Sequence, residues 1–390
     1  MMKKSVLFVV NSLDVGGVEK CLVTILNALP RDKYDITVGV VNRRGGFMEA
    51  VPAHVKVVEI DSLHRYQWIW RTDRGVLREM LRPDRFTGYF MIPALRVISK
   101  LKGTLIPLYS HYINRSTDQM PRFDIAVAFQ GPSQILDYYV GKVVRAKKKI
   151  GWIHFDVDKF YINPITTANA YAGFSRVFVV SEESRKSFER KVPSLASRTE
   201  TMMNFIDTAQ VRIDGDKESP LSHQDQCKQL VTVGRLRSQK GQDIALRAAA
   251  LLKAKGYNFH WTFVGDGNRL AEYQALATQL GITDRITFAG STTNPYPYMK
   301  HCDIYVQPSR FEGFCLTIGE AKVFGVPIVA TEFQGAHEQL DGLENAVIVK
   351  ETTPEAIADG IERAWTMRRV APEPDGVPTQ ITRLMEVFDS

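Results

Sequence analysis

The chain has 390 residues, of which 44% are apolar and 24% charged, and this length favours two domains over a single core. No run approaches eighteen uncharged apolar residues, so the sequence carries no signature of a transmembrane helix. The four cysteines are scattered, without a CxxC pair or a zinc-like spacing to histidine. We therefore expect a reduced, cytoplasmic setting.

In chain order, short apolar runs alternate with helical stretches through the first half, which predicts a parallel sheet with crossover helices. The predicted strands are 5–10, 36–41, 55–60, 125–129, 149–153 and 176–180. Ser181 is placed to cap a helix that ends near Arg190. The first half is therefore predicted to form an α/β domain.

The formal charge of +7 is concentrated within this first half, in residues 65–118. That segment has ten lysines and arginines against four acids, a surplus of six. Apolar residues recur at helical spacing in it: Met91, Ala94, Leu95, Ile98 and Leu101. Arg96 and Lys100 share another face, so the segment is predicted to contact anionic lipid. The alternative is a helix packed on its own domain with solvated basic residues. No nucleic-acid motif accompanies the charge.

A polar stretch at 207–226 interrupts the alternation and is predicted to be a linker. The pattern restarts with strands predicted at 229–233, 259–264, 286–288, 304–306, 327–330 and 346–349, and with a helix at 243–254. The predicted fold class is α/β, with two Rossmann-like doubly wound domains facing across a cleft. The boundary between them is predicted at 206/207, so that the first domain is 1–206 and the second 207–370. A tail helix in 371–390 is expected to pack back on the first domain.

The most informative motif is a pair of carboxylates, Glu312 and Glu320, at the corner between a predicted strand and a helix beginning near Cys315. At helical rise their separation would be roughly 12 Å. A hydrolase acid/base pair requires about 5–9.5 Å, so that chemistry is disfavoured. The spacing suits two hydroxylated rings joined by a diphosphate, with one carboxylate on each ring. An exposed loop glutamate and a surface helix glutamate are the alternative.

Two cations, Arg235 and Lys240, flank a second strand-to-helix turn. Cations at the start of a helix are slightly unfavourable, whereas together they can neutralise a diphosphate leaving group. Ordinary surface cations are the alternative. The pair is therefore predicted to form an anion site.

Glycine corners follow several of the predicted strands. Gly16-Gly17 comes after the first strand and does not fit GxGxxG, which argues against nicotinamide dinucleotide binding. Gly265 and Gly290 mark similar corners in the second half. Close backbone approach to a donor nucleotide and plain tight turns remain alternatives for all of them.

The stretch from Glu312 to Thr331 resembles the family-4 glycosyltransferases of the GT-B fold, whose hallmark is Glu, seven residues, Glu. The resemblance is densest over 229–350 and thin over 1–206, apart from the opening glycines. It implies that 1–206 is an acceptor-binding domain and 207–370 a nucleotide-sugar-binding domain. It further implies that Glu312 contacts the transferred sugar and Glu320 the ribose. It also implies that backbone amides line the sugar-phosphate site, namely those of Gly313, Phe314, Cys315 and Leu316.

The same resemblance implies that Arg235 and Lys240 bind the donor diphosphate, with Gly16-Gly17 beside it. The family has a histidine near the donor sugar in a strand-end loop, and His154 follows a predicted strand. A structural role for His154 is the equal alternative. Asp156 and Asp158 form a DxD, a metal motif of the other glycosyltransferase architecture. We expect no obligatory metal and no other cofactor.

The predicted function is a retaining glycosyltransferase with a nucleoside-diphosphate donor, UDP-sugar favoured. The expected acceptor is a saccharide hydroxyl, lipid-linked, in cell-surface polysaccharide synthesis at the inner face of the membrane. Two alternatives stay open. One is a nucleotide-sugar epimerase of the same fold, and the other is a non-catalytic, membrane-associated sugar or nucleotide binder.

Overall fold

A computed structural model describes residues 3–66, 86–113, 120–133, 135–221, 227–371 and 377–390. By its contacts the chain forms two units. The first comprises Met1–Asp14, Leu26–Val180 and Arg185–Met202, and the second comprises Val15–Ile25, Ser181–Ser184 and Met203–Ser390. These units do not follow one cut in the chain. The predicted boundary at 206/207, and the return of the 371–390 tail to the first domain, therefore stay predictions.

The first unit contains a seven-stranded sheet in the order β3-β2-β1-β4-β5-β6-β7, with every pairing parallel. The strands are β1 Lys4–Val10, β2 Tyr34–Val40, β3 Lys56–Glu59, β4 Phe123–Gly131, β5 Ala146–Ile153, β6 Arg176–Val179 and β7 Thr199–Thr201. The first six confirm the predicted strands. The seventh, β7, is a short polar strand at the edge of the sheet, and the sequence does not predict it because it lacks an apolar run.

Helices lie in most connections between consecutive strands of this half of the chain, as is usual for parallel strands, whereas the connection from β2 to β3 has none. They are α1 Gly17–Ala28, α2 Asp61–Tyr66, α3 Phe86–Leu101, α4 Ile106–Ile113, α5 Ile135–Lys142, α6 Pro164–Ala170 and α7 Glu182–Lys191. Asn163 caps α6 by accepting from the Thr166 amide, and Pro164 supplies the first turn. At α7 the predicted Ser181 cap is confirmed, since its hydroxyl accepts from the Ser184 amide at 3.1 Å.

The second unit contains a six-stranded parallel sheet in the order β10-β9-β8-β11-β12-β13. Its strands are β8 Lys228–Val233, β9 Phe259–Val264, β10 Ile286–Gly290, β11 Ile304–Gln307, β12 Ile328–Thr331 and β13 Ala346–Val349. Alternate residues of these strands belong to different core clusters, such as Leu230 in one and Val231 in the other. Both faces of the sheet are therefore buried, which explains the near-continuous apolar runs that predict the strands.

The second half of the chain has eight α-helices among its described residues. They are α8 Thr208–Gly215, α9 Gln242–Ala254, α10 Leu270–Gln279, α11 Tyr296–His301, α12 Leu316–Lys322, α13 Ala336–Leu340, α14 Pro354–Ala364 and α15 Val377–Asp389. The stretch predicted as a linker contains α8, which Asp207 caps through the Gln210 amide and Val211 anchors in the core. A single buried apolar residue gave the sequence analysis no periodicity to detect.

The basic segment is partly described, since 67–85 and 114–118 lie outside the described residues. In α3 the inward residues are Ile92, Leu95 and Ser99. Most of the predicted apolar face points outward, with exposed fractions of 39% for Met91, 39% for Ile98 and 82% for Leu101. Val97 joins them at 59%. No helix among the described residues is long and apolar enough to span a bilayer.

Candidate functional site

A chain of buried polar side chains runs from the end of β11 to Glu312. The Tyr305 hydroxyl donates to Gln307 Oε1 at 2.8 Å, and Gln307 Nε2 donates to Ser309 Oγ at 2.8 Å. Ser309 Oγ in turn donates to Glu312 Oε1 at 2.6 Å. Because buried polar groups are costly unless they are paired, this series of hydrogen bonds fixes the Glu312 carboxylate in one orientation.

Lys240 holds the same carboxylate oxygen from the other side, with Nζ 2.6 Å from Glu312 Oε1. Burial is the largest influence on Lys240 and lowers its pKa, but the charge of Glu312, its hydrogen bond and the neighbouring Cys315 together outweigh burial, so the net shift is upward. The ammonium therefore stays charged. No hydrogen bond or ion pair within the described chain reaches Glu312 Oε2, which leaves that oxygen available to accept.

Arg310 joins the loop that carries Glu312 to the turn that carries Lys240. Its backbone amide donates to Gln239 O at 2.8 Å, and its guanidinium donates to Ser238 O at 2.6 Å. The guanidinium also binds both oxygens of Asp243, at 2.8 and 2.6 Å. Such a two-pronged contact fixes direction as well as distance. The Arg310 contacts thus fix the loop that carries Glu312 against the turn that carries Lys240.

Cys315, at the start of α12, is the non-glycine residue with positive φ in the described part of the chain, with φ 65° and ψ 76°. An L-residue pays about 1–2 kcal/mol for this left-handed conformation. Strain of this kind is concentrated at functional sites. Burial raises the pKa of the Cys315 thiol to about 12, so it is a neutral packing group beside Lys240 and Glu312.

Arg235 lies over the loop that contains the first glycine pair, and both belong to the second unit. Its Nε and Nη2 donate to Val15 O at 3.2 and 3.0 Å, and Nη2 is 3.9 Å from Glu19 Oε2. A Cβ on Gly16 would lie 2.3 Å from Arg235 Nη2, so a larger residue would displace the guanidinium from this position. A Cβ on Gly17 would lie 3.6 Å from that of Leu316. The first glycine corner therefore adjoins both Arg235 and the start of α12.

The remaining glycine corners also meet one another. Gly265 N donates to Gly290 O at 2.8 Å, and Gly234 N donates to Val264 O at 2.9 Å. Leu236 N completes the contact by donating to Asp266 O at 3.0 Å. The turn that carries Arg235 is therefore fastened to the Gly265 corner.

Glu320 on α12 is 2% exposed and is held through one oxygen. Lys20 Nζ lies 2.9 Å from Glu320 Oε1, and the Tyr296 hydroxyl donates to the same oxygen at 3.1 Å. The ammonium also lies over the Tyr296 ring, 4.0 Å from its centroid. Burial, followed by the nearby Glu320 charge, raises the pKa of Tyr296 well above its usual value, so its hydroxyl remains a donor.

His154 belongs to the first unit, as do Asp156 and Asp158. It follows β5 as predicted, and its ring is 5% exposed, stacked on Trp152 with centroids 5.8 Å apart. Asp156 Oδ1 accepts from the Asp158 amide at 2.7 Å, and Asp158 Oδ2 accepts from Ser187 Oγ at 2.7 Å. Across the described residues, no group of three or more His, Cys, Asp or Glu could hold a metal ion. The direct role of His154 and the absence of a metal requirement stay predictions.

The second unit thus brings most predicted site residues into contact. Gly313 O accepts from Ser181 and Ser184, both at 3.3 Å, and Phe314 O accepts from Gln339. The site also contains four residues that the sequence did not predict, namely Lys20, Tyr296, Gln307 and Ser309. Gln307 could have been noticed, because it is a polar residue that ends an apolar strand. Tyr296 could not, since it is one aromatic residue among many.

Comparison with known proteins adds the following. Residues 216–373, which are 158 of the 390, match the family described as "Glycosyl transferases group 1". An uncharacterized glycosyltransferase of Haemophilus influenzae is 22% identical over 93% of this chain and 90% of its own length. The lipopolysaccharide core biosynthesis mannosyltransferase LpsB of Rhizobium meliloti is 35% identical, over 28% of this chain. Other curated relatives, LpsB included, are matched over only 32–45% of their own length.

Among solved structures, Anabaena HepE in complex with UDP and glucose aligns with a TM-score of 0.72 and 19% identity. The alignment covers 99% of this chain and 100% of HepE. The fold is GT-B. Together with the family match, this similarity supports a glycosyltransferase and confirms the predicted pair of Rossmann-like domains.

Proposed function

We propose that this protein is a retaining family-4 glycosyltransferase that transfers a sugar from a nucleoside-diphosphate donor, UDP-sugar in the first instance, to a saccharide hydroxyl. The observation that carries the proposal is the Lys240–Glu312 pair at 2.6 Å, with Arg235 held nearby. It supplies cations for a diphosphate and a fixed carboxylate for a sugar hydroxyl. The UDP in the HepE structure supports the choice of base.

In the proposed reaction, Arg235 and Lys240 receive the negative charge that develops on the diphosphate as the bond from the anomeric carbon to the phosphate oxygen breaks. The acceptor hydroxyl attacks the anomeric carbon from the face that the leaving group vacates, which retains configuration. Its proton passes to the departing phosphate oxygen. Glu312 Oε2, which has no partner among the described residues, accepts from a hydroxyl of the sugar and orients it.

We further propose that the acceptor is a lipid-linked saccharide of cell-surface polysaccharide synthesis, reached at the inner face of the membrane. LpsB, a lipopolysaccharide core biosynthesis enzyme by its name, supports this class. The exposed apolar residues of α3 support it too, since they are accompanied by the exposed Arg96 and Lys100. A groove of about 560 Å³ between α3 and α4, lined in part by Leu95, Ile98 and Lys102, offers an adjoining recess with both apolar and polar walls.

The test of the activity is the Glu312→Gln variant, assayed for transfer from UDP-, GDP- and ADP-sugars to saccharide acceptors. We expect a loss of about a hundredfold or more, because the amide cannot accept as a charged group does. Glu351→Gln, an exposed glutamate of the same unit, is the matched control and should be unaffected. Retention of configuration is read from the anomeric proton of the product. Unchanged transfer by Glu312→Gln would contradict the role of this residue.

Because Glu312→Gln leaves the Lys240 ammonium without its counterion, folding needs its own control. The double variant Glu312→Gln/Lys240→Met removes both charges and should melt closer to the wild type than Glu312→Gln does. Donor interconversion without an acceptor would instead indicate an epimerase. Donor binding without any turnover would indicate a non-catalytic binder.

The membrane proposal is tested by sedimentation with liposomes of anionic and of neutral lipid. We expect binding to anionic liposomes only, weakened by salt and by Val97→Ser/Leu101→Ser, which removes two exposed apolar contacts without changing charge. Ile213→Ser, an equally exposed apolar residue of the second unit, is the control. Equal binding by all variants would exclude α3 as the contact.

A further inference from the structure

The two site carboxylates are held in the same way. Glu312 Oε1 receives Lys240 and Ser309, and Glu320 Oε1 receives Lys20 and Tyr296. In each case one ammonium and one hydroxyl converge on a single oxygen. For neither glutamate does the described chain provide a partner to Oε2.

We propose that Lys20 and Tyr296 are positioning residues for donor recognition, which hold Oε1 of Glu320 so that Oε2 accepts from a ribose hydroxyl of the nucleotide. The inference rests on the proposed function, since it concerns the donor of that reaction. Lys20 and Tyr296 do not touch the nucleotide in this account. They act through the carboxylate.

Geometry and burial support the assignment. Glu320 is 2% exposed, and a carboxylate at such a position needs both charge compensation and hydrogen bonds. Lys20 supplies the charge from α1, and Tyr296 supplies a directed O–H from α11. Because the two donors reach the same oxygen from different elements, the carboxylate cannot rotate without breaking both contacts. A carboxylate held in this way presents its second oxygen in one direction, ready to accept.

The packing of Lys20 on Tyr296 makes the two residues one unit. The ammonium lies 4.0 Å from the ring centroid while it contacts Glu320, so the ring restricts where the cation can go. Lysine and arginine both carry the charge, whereas methionine has a similar length and none. Phenylalanine keeps the ring of Tyr296 and removes only the donor. These substitutions separate orientation of the carboxylate from packing.

The experiment measures dissociation constants by calorimetry for UDP, GDP and ADP, and for the 2′-deoxy and 3′-deoxy form of each. The wild type should prefer one ribonucleotide to at least one of its deoxy forms by about tenfold to a hundredfold, the loss of a hydrogen bond to a charged group. Tyr296→Phe and Lys20→Met should weaken ribonucleotide binding about fivefold or more, and leave the deoxy form nearly unchanged. Lys20→Arg should restore most of the preference.

Two further variants provide controls. Tyr298→Phe, a hydroxyl removal on the same helix, should keep the preference. Glu320→Gln should abolish it, and Tyr296→Phe should then add nothing, because both act on one contact. If Tyr296→Phe weakens the ribo and deoxy forms equally, these residues are structural and the inference is wrong. If the wild type binds nucleotides and transfers sugar without distinguishing ribo from deoxy forms, the inference fails and the proposed function stands. If no nucleotide binds, both fail.

Discussion

Replacing Gly241 with alanine should lower the free energy of unfolding and raise the donor KM. The loss in free energy has a conformational and a steric contribution. Gly241 precedes α9 with φ 70°, and a Cβ there would lie 1.9 Å from Pro308 O. The left-handed conformation costs alanine about 1–2 kcal/mol. Moving the Pro308 carbonyl, which is backbone, adds an overpacking cost of about 1–3 kcal/mol. We therefore expect a total loss of about 2–5 kcal/mol in the free energy of unfolding.

Gly281→Ala is the matched control, because Gly281 has φ 65° and no atom within 4 Å of a built Cβ. It should lose only the conformational part, about 1–2 kcal/mol. Urea denaturation measures both variants, and the difference between them isolates the contact with Pro308. Gly241→Ala should also raise the donor KM, since Lys240 and the Ser309–Glu312 loop lie on the two sides of that contact. Equal stability losses in the two variants would refute the steric argument.

Three other outcomes are expected. Burial raises the pKa of Cys21, Cys302 and Cys315 to about 12 each. Ellman's reagent at pH 8 should therefore react rapidly with one thiol, the half-buried Cys227, and Cys227→Ser should remove that fast phase. A second rapidly reacting thiol would contradict this expectation. The His337 ring donates hydrogen bonds to the carboxylates of Asp341 and Glu332, which raise its pKa, Asp341 the more. Its stabilising contribution is therefore complete below about pH 6.5 and is lost as pH rises through the folded-state pKa. His337→Gln should accordingly lower the urea midpoint at pH 5.5 but not at pH 9, and an equal loss at both would exclude the linkage. Arg310→Lys should raise the donor KM several-fold and lower the free energy of unfolding by about 1 kcal/mol. The control Arg269→Lys, at an exposed ion pair with Glu272, should change neither quantity. Unchanged kinetics in Arg310→Lys would show that the Arg310 contacts do not position Lys240.

Most strands of the two sheets could be predicted because parallel strands that pack on both faces are largely apolar. The β7 strand could not, because Thr199–Thr201 is an edge strand that needs no such run. The α3 helix shows a different limit. Its periodicity is helical, but periodicity does not tell which stripe faces the core, and Ile92 with Leu95 proved to be the buried pair rather than Met91 with Ile98.

At the site, the sequence predicted which residues belong to it better than it predicted their hydrogen-bond partners. The Lys240–Glu312 contact spans 72 positions and connects two motifs that were noticed separately. The partners of Glu320 were missed, since Lys20 and Tyr296 lie in segments remote from it and nothing local distinguishes them. Hydrogen bonds between distant segments depend on tertiary placement, which neither spacing nor composition records.

The Arg310 contacts have a consequence for protein engineering. Backbone and guanidinium hydrogen bonds join the Ser309–Glu312 loop to the 238–243 turn, so the conformation of each segment depends on the other. A chimera that imports one of them from a relative would inherit a loop shaped for an absent counterpart. Exchange of donor preference between such enzymes should therefore succeed when both segments are replaced in the same chimera, although they lie some seventy positions apart in the chain.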